Sequence, residues 1–169
     1  MRRGTATVSV LLAGLVMACS APAQYAVPDD VCGVAVDGSA LAPLLPRGKK
    51  LDQTTANSNA DTSRCRVRVD ERGVLSVESY VTSVDNNPVE TKAWELVHPA
   101  KIQVGDDARV GDAMAIAVAT CTYRAEPRKF VVQAYPFTLA SDLPKRRDAL
   151  TRFMEAYFPA AKKAAGCAS

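Results

Sequence analysis

Cysteine is the residue type in this 169-residue chain with the widest choice of chemistry. A thiolate could bind zinc or act as a nucleophile, and an oxidised pair could cross-link the chain. The five cysteines are Cys19, Cys32, Cys65, Cys121 and Cys167. No two of them have CxxC spacing and His98 is the single histidine, so the spacing disfavours zinc. We therefore expect no metal site and no cofactor.

The acidic and basic side chains form no recognisable catalytic motif. His98 precedes Pro99 and is expected to be a surface or loop residue. The segment 105–112 carries Asp106, Asp107 and Asp112, but it lacks the alternating acids and late glutamate of an EF-hand, and we predict two successive β-turns. A GxSxG elbow, a P-loop and a dinucleotide fingerprint are absent from the sequence. These features predict a non-enzymatic domain, with an enzyme assembled from distant acids, tyrosines and His98 as the alternative.

The first residues have the composition of an export signal. Arg2 and Arg3 precede an uncharged run of 14 residues, 5–18, which has the length of a signal-peptide core and is too short for a transmembrane helix. The run ends in Val16-Met17-Ala18-Cys19, which resembles the bacterial lipobox. The resemblance implies a signal peptide at 1–18, a diacylglycerol on the sulfur of Cys19 with further acylation such as palmitate, and anchoring at the outer face of the cell membrane. The alternative is an ordinary secretory signal cleaved after Ala18 or within 21–23.

Acylation of Cys19 would leave four cysteines, an even number suited to disulfides in an oxidising compartment. Of the three possible pairings we favour Cys32–Cys65 and Cys121–Cys167, because each joins segments that the predicted elements pack together. These pairs are 33 and 46 residues apart. Closing such loops contributes about 3–4 kcal/mol each on the chain-entropy model.

The mature chain has the size of one domain and little net charge. Residues 19–28 read as a polar tether and 29–169 as a single domain. Without Arg2 and Arg3, 19 basic residues (21 − 2) face 18 acidic ones. This balance argues against nucleic acid as a partner. The expected partners are the membrane, through the lipid on Cys19, and an envelope protein or small ligand.

Hydrophobic periodicity predicts an α+β fold. Cys65–Asp70 and Val74–Val81 alternate as a β-hairpin. Ala113–Tyr123, with alanines on one face and larger residues on the other, and Lys129–Leu139 form a second hairpin around a turn at 124–128. We predict an antiparallel sheet built from these two hairpins.

Helices are expected to cover this sheet. One is short, at 40–46, and another is amphipathic, from a Ser141 N-cap through a stripe that runs from Leu143 to Ala161. Pro159 should kink or divide this last helix. A further short helix at 89–97 should place Trp94 in the core.

Several motifs together resemble small secreted lipoproteins of actinobacteria. They are Val31-Cys32-Gly33, Leu41-Ala42-Pro43-Leu44-Leu45-Pro46, Cys65-Arg66-Val67-Arg68-Val69-Asp70, the Gly-Asp turns and the strand that ends in Cys121. This resemblance implies the extracytoplasmic location and a small α+β fold, similar to the Mog1/PsbP sandwich, and it transfers no catalytic residue.

These observations predict a binding or interaction module of the cell envelope. We expect its ligand site on the polar loop 47–64 and the turn 85–88, since loops on a rigid scaffold commonly carry binding. The alternative is a carrier that holds a hydrophobic ligand in a cavity between helix and sheet.

Overall fold

The computed structural model describes residues 24–56, 61–137 and 142–168 and has an α+β fold, which confirms the predicted class. The predicted signal peptide, Cys19 and the first residues of the predicted tether lie outside the described residues. The strands are β1 (Asp30–Val31), β2 (Val34–Ala35), β3 (Leu51–Ala56), β4 (Thr62–Val69), β5 (Arg72–Ser83), β6 (Ala100–Lys101), β7 (Asp107–Val110), β8 (Ala115–Tyr123) and β9 (Glu126–Pro136). The α-helices are α1 (Gly38–Leu41), α2 (Pro88–Thr91) and α3 (Leu143–Ala164), with 3₁₀ turns at Ala42–Leu44 and Ala93–Glu95.

One antiparallel sheet of seven strands, in the order β3-β4-β5-β9-β8-β7-β6, forms the centre of the domain. Both predicted hairpins are present in it, and β3, β6 and β7 widen it. Each hairpin has a two-residue turn in which both residues have positive φ, Asp70-Glu71 and Arg124-Ala125. Such turns match the twist of paired strands. The predicted turn at 124–128 is therefore too long, because β9 already begins at Glu126.

The two ends of the sheet carry different loops. We call one end basal: it has the loops 46–50, 70–71 and 111–114. The opposite, apical end has the loops 84–87 and 124–125. Strand pairs such as Leu75 with Pro136 at the basal end and Tyr123 with Glu126 at the apical end fix this assignment.

Helix α3 packs on one face of the sheet and runs from the basal to the apical end. Its N-cap is Asp142, whose carboxylate accepts a hydrogen bond from the backbone N of Lys145, so the predicted Ser141 cap is wrong. The helix continues unbroken through Pro159, and Leu143 is 41% exposed rather than part of the core stripe. The buried stripe consists of Ala149, Leu150, Phe153, Met154, Tyr157, Phe158 and Ala161, as helical spacing predicts.

Alternation along β8 lets α3 approach the sheet closely. Ala115, Ala117 and Ala119 belong to the core cluster shared with the helix. Ile116 and Val118 face the other side and pack with Val89 and Leu96 in a second cluster. The small alanine side chains leave room for the aromatic rings of the helix, as the sequence predicts.

The N-terminal segment packs against the edge of the sheet and the helix. Cys32 is bonded to Cys65 of β4, with 5.9 Å between their Cα atoms. Gln53 of β3 bridges the same region: its Oε1 accepts from the backbone N of Cys32 and its Nε2 donates to the carbonyl O of Asp30. A covalent bond and two hydrogen bonds thus hold the β1–β2 hairpin to β3 and β4.

The segment 88–96 crosses the face of the sheet opposite α3. The helix expected over 89–97 is shorter, Pro88–Thr91 followed by the 3₁₀ turn. Val89 and Leu96 supply its buried contacts. Trp94 is 81% exposed, so its predicted place in the core is wrong. The smaller Val89 and Leu96 fill the space between this segment and the sheet.

Candidate ligand-binding site

A cavity lies between the apical end of α3, strand β8 and the loop that precedes β7. Its volume is about 720 Å³, and it opens to solvent. Ligand sites of about 300–1,000 Å³ are usual for small molecules. The lining residues are Gly105, Asp106, Ala119, Phe158, Pro159, Lys162, Lys163, Gly166, Cys167 and Ala168.

One wall of the cavity is the loop that precedes β7. The backbone N of Asp106 donates to the carbonyl O of Val118 at 2.8 Å, and its carboxylate accepts from the backbone N of Thr120 at 2.6 Å. Gly105 has φ +61°, and a Cβ there would overlap the carbonyl O of Val118. Only glycine lets this loop lie so close to β8. The predicted pair of β-turns over 105–112 is therefore only partly present, since Asp107–Val110 is strand β7.

The opposite wall is the end of α3 and the residues after it. Gly166 has φ +73°, and its backbone N donates to the carbonyl O of Lys163, a common way for a helix to end. Cys167 is bonded to Cys121 of β8, with 5.4 Å between Cα atoms. The two disulfides thus join the same cysteines that the sequence favours, and the second one fixes the helix end beside the cavity.

The cavity combines an apolar floor with cations. Phe158 and Ala119 are buried and supply the apolar surface, whereas Lys163 is exposed and Lys162 half-buried. The Asp106 carboxylate, which accepts from the backbone N of Thr120, is the one acidic side chain among the described lining residues, so the two lysines give this lining a net positive charge. This combination suits an amphiphile with one anionic group.

A second cavity of about 260 Å³ lies on the other side of α3, next to the first disulfide. Tyr80, Tyr123 and Phe130 line it, together with the hydroxyls of Thr62, Ser63 and Ser79. Phe130 contacts Phe158 with 5.7 Å between ring centroids. This aromatic pair separates the two cavities, and the second is smaller and more polar.

His98 and Asp112 form a polar pair near the basal end. His98 Nδ1 lies 2.9 Å from Asp112 Oδ2, and Arg147 donates to Asp112 Oδ1 from both Nε and a terminal nitrogen. The hydrogen bond from His98 and those from Arg147 hold the pKa of the Asp112 carboxyl below its usual range. His98 is 77% exposed, and within residues 24–56, 61–137 and 142–168 no hydroxyl or thiol hydrogen-bonds to it. The pair therefore lacks the nucleophile of a hydrolytic triad in this part of the chain.

A buried polar network on the sheet face opposite α3 was not predicted. Gln133 is almost fully buried; its Nε2 donates to the Tyr80 hydroxyl, and its Oε1 accepts from the Tyr135 hydroxyl. Tyr135 also lies 3.2 Å from a carboxylate oxygen of Glu95, and burial together with this negative charge raises its pKa. The alternation of side chains along each strand predicts that these residues lie on the same face of the sheet. Which of them come into contact depends on the register between neighbouring strands, which the sequence does not give. The network connects the segment 88–96 to the sheet.

The described residues of the loop predicted over 47–64 are mostly strand, since β3 covers Leu51–Ala56 and β4 begins at Thr62. Residues 47–50 lie at the basal end, and 57–60 lie outside the described residues. Asp61, whose carbonyl O accepts from the backbone N of Val81, lies at the apical end, as does the turn 84–87. The three aspartates also separate: Asp107 pairs with Arg109, Asp106 bonds Thr120, and Asp112 bonds His98. Across the described ranges no group of three or more histidines, cysteines or acids could hold a metal ion.

Comparison of the chain with protein-family models, with curated proteins and with solved structures finds no match. The resemblance to actinobacterial lipoproteins and to the Mog1/PsbP sandwich therefore stays a prediction. Two disulfides fit a small extracellular domain. None of the helices in the described residues has the length and apolar character needed to span a bilayer.

Proposed function

We propose that this protein is an extracytoplasmic binding module, anchored by a lipid on Cys19, that holds a small amphiphile in the cavity beside the end of α3. The observation that carries this proposal is the open cavity of about 720 Å³ with its apolar floor and two lysines. The ligand would place a hydrocarbon part on Phe158 and Ala119 and an anionic group near Lys162 and Lys163. The export signal and the disulfides support a site outside the cytoplasm.

A binding role fits the charged groups of the cavity better than catalysis does. Among the described residues that line it, the titratable side chains are Asp106, Lys162 and Lys163. The Asp106 carboxylate accepts a hydrogen bond from the backbone N of Thr120. A carboxylate that acted as an acid or base would instead have to lie within hydrogen-bond distance of the reacting atoms. The cavity also opens to solvent, so a ligand would keep one side in water, unlike cargo sealed within a carrier.

Ligand binding is tested with dodecanoate and the uncharged dodecanol as probes, by calorimetry on the mature chain carrying Cys19→Ala. We expect saturable binding of dodecanoate. Lys163→Glu should weaken it by about three- to tenfold and leave dodecanol binding nearly unchanged. Lys101→Glu makes the same charge change on exposed β6, outside the cavity, and is the matched control. Absence of saturable binding by both probes, or equal effects of the two variants, would contradict the proposal.

Anchoring is tested separately in cells. Labelling with a palmitate analogue should acylate the wild-type protein, and Cys19→Ala should abolish both the label and membrane retention. If Cys19→Ala protein were still acylated and membrane-bound, the lipid anchor would be wrong, whatever the outcome for the cavity.

A further inference from the structure

Exposed large apolar side chains concentrate at the basal end of the domain. Five such residues are found among the described ones, and four of them are Trp94, Val97, Phe137 and Leu143. Exposed fractions are 81% for Trp94 and 53% for Phe137. Isolated exposed apolar residues are normal on a protein surface, but a concentration at one end marks an interaction face.

Contacts place each of the four at this end. Phe137 directly follows β9, and its backbone N donates to the carbonyl O of Val74. Leu143 is the first residue of α3. The carbonyl O of Val97 accepts from the backbone N of Asp112 in the basal loop 111–114. Trp94 is next to Glu95, which bonds Tyr135 near the end of β9.

Cationic side chains surround the same end. They are Arg47, Lys49 and Lys50 before β3, Arg66 and Arg68 in the last half of β4, and Arg72 at the start of β5. Within the part of the chain that the structure describes, none of these six forms an ion pair with an acidic side chain. The nearby Asp70 carboxylate is held by the backbone N–H groups of Lys49 and Lys50. In the segments 46–52 and 66–72 these six cations accompany three acids, Asp52, Asp70 and Glu71. The mature chain is almost neutral, so this end carries a local excess of positive charge.

The chain also joins the domain here. The backbone N of Gln24 donates to the carbonyl O of Gly48 at 2.9 Å, and the Tyr25 hydroxyl donates to the carbonyl O of Pro46. Cys19 precedes Gln24 by five residues, which span at most about 18 Å when extended. A lipid on Cys19 would hold the basal end within about that distance of the headgroups.

We infer that the basal end is a membrane-contact face that lies on anionic phospholipid headgroups. The inference rests on the proposed extracytoplasmic lipid anchor. Trp94 and Phe137 enter the interfacial layer, where aromatic side chains concentrate, and the six cations lie against the negatively charged surface. This contact orients the domain, whereas a lipid chain alone would leave it free to rotate.

Trp94 is the only tryptophan of the chain and reports directly on this contact. We expect its emission to shift to the blue in the acylated protein reconstituted in phosphatidylglycerol vesicles. Quenching by brominated phosphatidylglycerol should accompany the shift. Emission typical of exposed tryptophan, without quenching, would overturn the inference even though the protein stays anchored.

The contribution of charge is measured without the lipid, on the mature chain with Cys19→Ala, by sedimentation with phosphatidylglycerol vesicles at low ionic strength. Lys49→Gln/Lys50→Gln should weaken binding by roughly tenfold or more, because each cation near an anionic surface contributes about 1 kcal/mol. Their side chains make no ion pair among the described residues, so the fold should persist.

The matched control, Arg124→Gln/Arg128→Gln, removes two charges at the apical end and should leave vesicle binding unchanged. Equal losses in the two pairs, or equal binding to phosphatidylcholine vesicles, would contradict the inference. Because this assay uses unacylated protein, it can fail while the anchor is real, and the labelling of Cys19 can fail while the face binds lipid.

Discussion

Asp112 is a residue whose ionisation contributes to the fold. Its side chain accepts hydrogen bonds from Arg147 and is paired with His98, and its carbonyl O accepts from Arg146 at 2.7 Å. It therefore connects the loop 111–114 to the first turns of α3. No sequence motif marks it, since its partners are 14 and 35 residues away.

Asp112→Asn should lower the free energy of unfolding at pH 7. The carboxyl pKa is lower in the folded state than in the unfolded one, so the ionised group stabilises the fold above about pH 4. That contribution is lost as the pH falls through the folded-state pKa. The difference between wild type and variant should accordingly shrink toward about pH 2 in urea titrations.

Asp148→Asn is the matched control, because among the described residues the partner of Asp148 is Arg152, in an exposed ion pair on α3. We expect little change in stability at either pH. A loss equal to that of Asp112→Asn, or a pH-independent loss for Asp112→Asn, would refute the role of the ionised carboxylate.

At the scale of elements, the loop before β7 depends on glycine. Gly105→Ala should destabilise the domain by about 2–4 kcal/mol, since it combines a positive φ with overlap of the carbonyl O of Val118. Gly166→Ala shares the positive φ but has open space around its Cβ, so it should cost about 1 kcal/mol. Guanidinium unfolding measures both. Equal losses would show that the close approach to β8 contributes nothing.

Elements governed by local periodicity were predictable. The hairpin around Asp70, the alanine face of β8 and the buried stripe of α3 follow from alternation and helical spacing. Strand β7 was missed because Gly and Asp on both sides favour turns, whereas pairing with β8 decides the outcome. Exposure of Trp94 could not be predicted, because it depends on how the segment 88–96 lies on the sheet.

The sequence allowed a cavity between helix and sheet to be considered, but it did not predict where the cavity lies. Its walls come from the loop 105–106, strand β8 and the end of α3, which are distant in sequence. The sequence indicated a space between helix and sheet but could not locate it. Polar loops, by contrast, were favoured as the ligand site because of their composition alone, and most of the described residues in the range 47–64 are in fact in strand β3 and the start of β4.

At the scale of the molecule, two disulfides tie the chain segments before β3 and after α3 to the sheet. Replacing either pair by alanines should lower the free energy of unfolding by about 3–4 kcal/mol. Loss of Cys121–Cys167 should also weaken dodecanoate binding, because Cys167 lines the cavity, whereas loss of Cys32–Cys65 should not. Unfolding curves and calorimetry on both double variants test this. If both double variants changed dodecanoate binding equally, the prediction that the second disulfide shapes the binding cavity would be wrong.

The length of α3 has a consequence for how membrane and ligand charges interact. Its 22 residues extend about 33 Å from the basal to the apical end. In physiological salt the potential of an anionic surface decays over a Debye length of about 8 Å. With the basal end on the bilayer, Lys162 and Lys163 would stand several Debye lengths from the headgroups. Ligand occupancy would then follow the ligand's concentration in the aqueous phase and would be insensitive to the lipid composition below.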